Sequence, residues 1–219
     1  MFLALVPAYN EEKRIAEVLQ GLLSQVDSVV VIDDASSDTT AEVAEQCGAV
    51  VLRHEINRGQ GAALETGHEY ARLVGAEYVI HFDADGQFNP NDIAPALEVL
   101  KKENADILFG SRFLEKKSDI PWSKKYILFP IGKLLNTLFG SVALSDVHNG
   151  FRILTKNALH KIFITQDRMA HATEIPVLVK KQKLRFVEFP VEVTYHEYGQ
   201  GGLGGLKIVK DLFTGKFIR

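Results

Sequence analysis

Short apolar runs bounded by polar turns alternate with amphipathic stretches along the first half of the chain. Phe2-Leu3-Ala4-Leu5-Val6, stopped by Pro7, has the character of a buried strand. Asn10 is placed to cap a helix beginning at Glu11, with Ile15, Val18, Leu19, Leu22 and Leu23 on one face. Val29-Val30-Val31-Ile32 is continuous and β-branched, as expected of a strand covered on both faces. The polar turn Asp33-Asp34-Ala35-Ser36-Ser37-Asp38 follows, with Asp38 positioned to cap a helix reaching Cys47. Ala49-Val50-Val51-Leu52 predicts a third strand, and Asn57-Arg58-Gly59-Gln60-Gly61 leads into a helix through Leu73. Tyr78-Val79-Ile80-His81-Phe82 predicts a fourth strand. Asn89-Pro90 supplies a cap and a first-turn proline for a helix to Leu100, and Ile107–Ser111 predicts a further strand.

Strands alternating with helices in this way imply βαβ units and a mostly parallel sheet. Right-handed crossovers place the carboxyl ends of its strands on one edge, where ligands bind in open α/β sheets. The polar clusters after the first, second and fourth strands are therefore expected to form one site. The second half is less regular. Ile120–Leu144 mixes Trp122, Tyr126, Phe129 and Phe139 with Lys124, Lys125 and Lys133, which suits an amphipathic interfacial segment or a helix pair on the sheet equally well. Ala172–Lys181 reads as a helix, and Leu184–Thr194 as one or two strands split at Pro190. Gly199–Gly205 has the glycine content of a lid or linker, and Leu206–Ile218 has helical spacing.

Composition narrows the setting. With 219 residues, 46% hydrophobic and 24% charged, the chain can bury one sizeable core. A net charge of −3 gives no general pull toward nucleic acid. The lone Cys47 excludes an internal disulfide or a thiolate metal site. No signal-like segment opens the chain and no apolar run approaches the length of a membrane span, so a cytoplasmic setting is expected, with peripheral contact at the cytoplasmic membrane face as the variant.

The chemistry concentrates after the fourth strand. Asp83 and Asp85 alternate at the strand end and are followed by Gly86 and Gln87. Unpaired carboxylates make poor core residues, but they are good hard-oxygen ligands for Mg²⁺ or Mn²⁺ shared with substrate phosphates. The competing reading is a solvated turn. Tyr9, Glu11 and Asp34 lie at neighbouring strand ends, where an aromatic ring and carboxylates can hold a nucleobase. The Asn57–Gly61 loop permits close backbone approach to a phosphate but lacks the Lys-Ser/Thr of a P-loop. Arg112 and Arg152, placed at turns beyond apolar segments, are suited to clamp a phosphate through paired N–H groups.

Taken in order, Pro7-Ala8-Tyr9-Asn10-Glu11, Asp33-Asp34-Ala35-Ser36-Ser37-Asp38-Thr39, Asn57-Arg58-Gly59-Gln60-Gly61-Ala62-Ala63 and Asp83-Ala84-Asp85-Gly86-Gln87 resemble the motifs of family 2 glycosyltransferases. Gly110-Ser111-Arg112 and Asp146…Gly150-Phe151-Arg152 make the chain most similar to the dolichol-phosphate mannosyltransferase and polyprenyl-phosphate glycosyltransferase branch. The resemblance implies a GT-A fold of one domain over 1–219. Within it, 1–112 would bind the nucleotide sugar, 113–198 would face the acceptor, and 199–219 would be a glycine-rich loop and terminal helix. It further implies that Pro7, Tyr9, Glu11, Ile32 and Asp34 surround the nucleoside, and that Asp83 and Ala84 lie against the nucleotide. Asp85 and Gln87 would meet Mg²⁺ or Mn²⁺ and the diphosphate, and Arg112 and Arg152 would face the sugar or acceptor phosphate. The chain departs from the branch at Tyr195–Gly201, where an Arg-x-x-Gly-Ser-Lys-like element is expected; His196 or Lys207 are the available substitutes.

The expected activity is metal-dependent, inverting transfer from a GDP- or UDP-sugar to a lipid-phosphate or glycan acceptor, with polyprenyl phosphate as one candidate. A phosphate acceptor needs no base, whereas a sugar hydroxyl needs one, with Glu174 or Asp146 as candidates. Two alternatives stand beside this: a nucleotide-sugar-binding protein without transferase activity, and a sugar-phosphate nucleotidyltransferase. The second expects a basic, glycine-rich loop where the chain has Pro7-Ala8-Tyr9-Asn10-Glu11.

Overall fold

The computed structural model describes residues 1–114 and 142–194. The strands are β1 (Phe2–Ala8), β2 (Ser28–Asp33), β3 (Val50–Arg53), β4 (Tyr78–His81), β5 (Ile107–Ser111), β6 (Arg152–Thr155) and β7 (Phe186–Pro190). They form one sheet in the order β3-β2-β1-β4-β6-β5-β7. All neighbours are parallel except around β6, which runs antiparallel to both β4 and β5. The mostly parallel α/β sheet anticipated from the alternation of elements is therefore present. Its middle, however, is completed by a strand from the second half of the chain.

The helices are α1 (Ile15–Leu23), α2 (Thr40–Gln46), α3 (Gln60–Leu73), α4 (Ile93–Lys102), α5 (Lys156–Leu159) and α6 (His171–Lys181). Each buries an apolar stripe against one face of the sheet. On one face, Ile15, Leu19 and Leu22 of α1 and Ile93, Ala96 and Leu100 of α4 share a core with Ala4, Val6, Val31, Ile80 and Ile153. On the other, Ala63 and Ala71 of α3 pack with Leu3, Leu5, Val30, Ile32 and Val79, while Ile175 and Val179 of α6 join Ile107, Phe109 and Leu154. Covering both faces explains why β2 carries an unbroken apolar run rather than an alternating one.

Several predicted boundaries move for local reasons. Asn10 does not cap α1, which begins at Ile15. It instead adopts a left-handed φ of 57° and accepts a hydrogen bond from the Ser37 N–H at 2.9 Å. Ser36 Oγ accepts from the Asn10 N–H and Thr40 Oγ1 from the Glu11 N–H, so the loops after β1 and β2 are zipped together and Glu11–Arg14 forms a turn. Nor does Pro7 end β1. Leu5 O accepts from the Phe82 N–H as β4 finishes, so the side on which Pro7 lacks a donor no longer has a strand to pair with. Asn89 and Pro90 behave as expected: Asn89 Oδ1 accepts from the Asn91 N–H and opens a 3₁₀ turn into α4. Asp38 accepts from the Thr40 N–H at the start of α2. The Leu184–Thr194 stretch gives β7 and then a single bridge from Val193 to Phe88.

Among the described residues no helix is long and apolar enough to cross a membrane. Most of the interfacial stretch proposed for Ile120–Leu144, the Tyr195–Gly201 element with His196, the Gly199–Gly205 lid and the 206–218 helix with Lys207 lie outside the described residues.

Candidate active site

The carboxyl ends of β1, β2 and β4 open onto one edge of the sheet, as their parallel registers require. β4 delivers Asp83 into a slot between α3 and the loop before β6. Gln60 Nε2, in the first turn of α3, donates to Asp83 Oδ1 at 2.7 Å. On the opposite side Gly150 lets the carboxylate lie against bare backbone, since a Cβ there would stand 2.3 Å from Asp83 Oδ2. Desolvation, and then the neighbouring Asp85 charge, push Asp83 up to about 7, with Arg152, Gln60 and Arg112 opposing. Asp85 lies at the tight turn made by Gly86, whose φ is 73°. Asp85 Oδ1 accepts from the Gln87 N–H at 3.0 Å, and the Gln87 carbonyl accepts from the Thr194 N–H. Beside Asp85 a cleft of about 560 Å³ runs along α1, lined by Arg14, Glu17, Phe82, Gly86, Phe88 and Asn91 among others.

The expected nucleoside side divides into surface and scaffold. Tyr9 is half exposed and Glu11 partly exposed at the edge. Burial raises the Glu11 carboxyl above its ordinary value, with Asp85 adding to the effect and Arg14 opposing. Pro7, also partly exposed, stiffens the end of β1. Ile32 and Ala84 are core residues. Their side chains lie against Leu5 and α3 and among the α1-side apolar residues respectively. Asp34 is buried and accepts from the N–H groups of Arg58 at 2.9 Å and Gly59 at 2.6 Å and pairs with His54 Nδ1 at 2.7 Å. Its carboxylate thus anchors the loop that carries Gln60.

On the other side of Asp83 stand the two arginines. Arg112 grips Asp146 in a fork, Nε to Oδ2 at 2.6 Å and Nη2 to Oδ1 at 2.7 Å, with the Asp146 carboxylate also accepting from Asn149. Asp146 is therefore occupied as the orienting partner of Arg112. Arg152 is not on a turn, as the sequence suggested, but is the first residue of β6. It is only 1% exposed, and its side chain makes no hydrogen bond or ion pair with the other described residues. Burial brings its guanidinium down to about 10, while the charges of Asp83 and Asp146 support it. Around it stand the imidazoles of His81, His148 and His171, each held below the ordinary histidine value first by burial and also by the Arg152 charge. For His171 the value falls to about 4. These histidines and Gln60 were not singled out as site residues; the available signals were the Asn57–Gly61 loop motif that contains Gln60, the place of His148 between Asp146 and Arg152, and a polar His81 in an otherwise buried strand.

Glu174 is not drawn into this group by any contact. Its carboxylate accepts from the Thr165 N–H and hydroxyl and from the Gln166 N–H, fastening the loop that packs on the start of α3.

The residues present suit a divalent cation that draws most of its ligands from a substrate. Among the described residues no cluster of three or more His, Cys, Asp or Glu side chains forms a self-sufficient metal cage. Yet burial first, and then the Asp85 charge, raise the proton affinity of both Glu11 and Asp83, a surplus of negative charge that a cation relieves. Asp85 and Gln87 offer the hard oxygens that Mg²⁺ or Mn²⁺ prefers alongside phosphate.

The profile of "Glycosyl transferase family 2" matches residues 4–163. The chain belongs to this family. It is 30% identical over 221 residues to the UDP-N-acetylglucosamine–dolichyl-phosphate N-acetylglucosaminyltransferase of Methanococcus voltae, covering 89% of this chain and 86% of that one. It is 31% identical over 213 residues to a dolichyl-phosphate β-glucosyltransferase of Trichomonas vaginalis, covering 85% and 64%. The fold is that of the GT-A enzyme glucosyl-3-phosphoglycerate synthase from Mycobacterium tuberculosis, solved with Mn²⁺ and UDP. Against that structure the TM-score is 0.72 at 17% identity, over 100% of this chain and 81% of that one. The motif resemblance to polyprenyl-phosphate glycosyltransferases thus agrees with the names of these sequence relatives, and the chain is a family 2 glycosyltransferase.

Proposed function

We propose that this glycosyltransferase moves a hexose or N-acetylhexosamine from a nucleoside-diphosphate sugar to a polyprenyl phosphate, with inversion and with the help of Mg²⁺ or Mn²⁺. The observation that carries the acceptor assignment is Arg152. A buried guanidinium with no ion-pair partner among the described residues is costly unless a ligand completes it, and a phosphate monoester is an anion whose geometry its fork fits. The relatives named as dolichyl-phosphate transferases support the same acceptor class.

In this reading Tyr9 and Glu11 receive the nucleoside, and the Asp34-anchored loop carries Gln60 to Asp83. Asp83 accepts hydrogen bonds from the donor's ribose or sugar hydroxyls, held in place by Gln60 and Gly150. A cation held by Asp85 and Gln87 would supply charge compensation for the departing diphosphate. Arg112, oriented by Asp146, and Arg152 bring the acceptor phosphate to the anomeric carbon and screen it from the diphosphate. An acceptor that arrives as an anion needs no general base, which fits the engagement of Asp146 and Glu174 elsewhere.

The test incubates the purified chain with radiolabelled UDP-glucose, UDP-N-acetylglucosamine or GDP-mannose, dolichyl phosphate in detergent, and Mn²⁺ or EDTA, followed by organic extraction. Label in the organic phase with Mn²⁺ and none with EDTA is expected. Label transferred only to a water-soluble acceptor would overturn the lipid assignment. Tight donor binding without transfer to any acceptor would favour a binding protein.

A further inference from the structure

His81 and Arg152 are directly opposed on β4 and β6, which places their side chains on the same face of the sheet. Each carries a buried polar atom without a hydrogen-bond partner among the described residues, Nδ1 of His81 and Nε of Arg152, as does Nδ1 of the adjoining His68. Buried polar groups are almost always paired, so two orphans on neighbouring residues ask for one explanation.

The hydrogen-bond directions upstream decide what each orphan is. His68 Nε2, on α3, lies 2.7 Å from His81 Nε2, so one nitrogen carries the hydrogen and the other a lone pair. Burial keeps both rings neutral. His68 Nδ1 makes no hydrogen bond among the described residues; the groups facing it are acceptors, Glu65 Oε2 at 3.6 Å and the Ile162 backbone. Burial alone would raise Glu65, but its contacts with His68, the Ile164 N–H and Arg72 outweigh that and hold it as a carboxylate, which can only accept. The His68 hydrogen therefore belongs on Nδ1, its Nε2 is the lone pair, and His81 donates from Nε2. That leaves His81 Nδ1 as a bare acceptor. Arg152 Nε is a donor in every state. The two orphans are complementary.

We propose that one ordered water bridges them, accepting from Arg152 Nε–H and donating to His81 Nδ1, so that His81 is a positioning residue for Arg152. Buried waters take up otherwise unsatisfied groups in this way. The donors then run in one direction, from Arg152 through water and His81 to His68, whose Nδ1–H faces Glu65 at 3.6 Å. With Nε tied toward the sheet, the two Nη groups are left to face an anion. That catalytic consequence rests on the acceptor reading above, whereas the hydrogen-bond chain does not.

Nitrogen NMR on the full, uniformly ¹⁵N-labelled chain tests it without reference to activity. His81 is expected with its hydrogen on Nε2, and the Arg152 Nε–H signal is expected to be protected from solvent exchange. His81→Leu should speed that exchange by about tenfold, the loss of roughly one buried hydrogen bond. His81→Asn, whose Oδ1 restores an acceptor, should bring most of the protection back. A hydrogen on Nδ1 of His81 in the unmodified chain overturns the proposal, and this reading needs no variant to fold. Unchanged Arg152 exchange in His81→Leu overturns it as well. If both signatures appear while no lipid product forms, only the acceptor assignment fails.

Discussion

Gly150 lies so close to Asp83 that a Cβ on it would stand 2.3 Å from the Asp83 Oδ2. The glycine belongs to the loop before β6 and the carboxylate to the end of β4, so this approach joins the two halves of the chain at the site. It also explains why the carboxylate can be gripped by Gln60 from one side while Arg152 supports it electrostatically.

Gly150→Ala should therefore displace the Asp83 carboxylate rather than the backbone, because the clash falls on the end of a side chain. Misplacing a positioning group by about 1 Å costs on the order of 100-fold in rate. A drop of that size in kcat/KM is expected, with a melting temperature within a few degrees of the parent. A large fall in melting temperature with unchanged turnover would show that the contact serves stability alone.

The raised proton affinity of Asp83 has a consequence for folding. A carboxyl at about 7 when folded and near its ordinary value when unfolded binds its proton more tightly in the folded state. Its contribution to stability must then fall as pH rises from about 4 to about 7. The buried His171, at about 4, acts in the opposite sense: its contribution is lost as pH falls from the unfolded histidine range toward 4. Melting curves at pH 5 and pH 8 in EDTA should show Asp83→Asn gaining more stability over the parent at pH 8 than at pH 5. Equal offsets at both pH values would place the Asp83 proton elsewhere.

How much of this was legible in the sequence follows the range of the interactions. The strands β1 to β5 and helix α3 could be read because apolar runs and turn residues are local signals. The β1–α1 loop could not, because Asn10 is recruited by Ser36 and Ser37 from 26 and 27 residues away instead of by its own helix. β6 was missed because Arg-Ile-Leu-Thr is short and opens with a charge, and because its place between β4 and β5 is set by partners far along the chain. The carboxylates and arginines of the site were visible as residue types. The histidines around Arg152 were not, since nothing in their spacing announces that β4, the loop before β6 and α6 bring them together.

Glu174 offers a direct choice between a base and a fastener. Its carboxylate accepts from three groups of Thr165 and Gln166. Glu174→Gln should leave transfer to dolichyl phosphate within about threefold of the parent while costing about 1–2 kcal/mol of stability, the worth of one or two charge-assisted hydrogen bonds at a partly exposed position. Turnover reduced 100-fold with unaltered unfolding in urea would return Glu174 to the candidate bases.

Asp34 and Asp85 should separate cleanly, although both are site carboxylates. Asp34 holds two successive N–H groups ahead of α3 as well as His54, so it is part of the fold before any ligand arrives. Asp34→Ala is expected to lower the stability of the ligand-free chain by about 2–3 kcal/mol, the loss of several charge-assisted hydrogen bonds to partly buried donors. It should also raise the donor KM, because the loop it releases carries Gln60 to Asp83. Asp85 sits on an open turn beside the cleft, where its charge raises both Asp83 and Glu11. Asp85→Asn removes that repulsion, so ligand-free stability should be kept or slightly increased while Mn²⁺-dependent transfer falls by at least about 100-fold, the scale on which electrostatic stabilisation of a leaving group acts. Thermal unfolding of the ligand-free variants, run beside the transfer assay, checks both. An Asp34→Ala protein as stable as its parent would move Asp34 from the loop to the nucleoside. An Asp85→Asn protein that still transferred sugar in EDTA would remove the cation from the reaction.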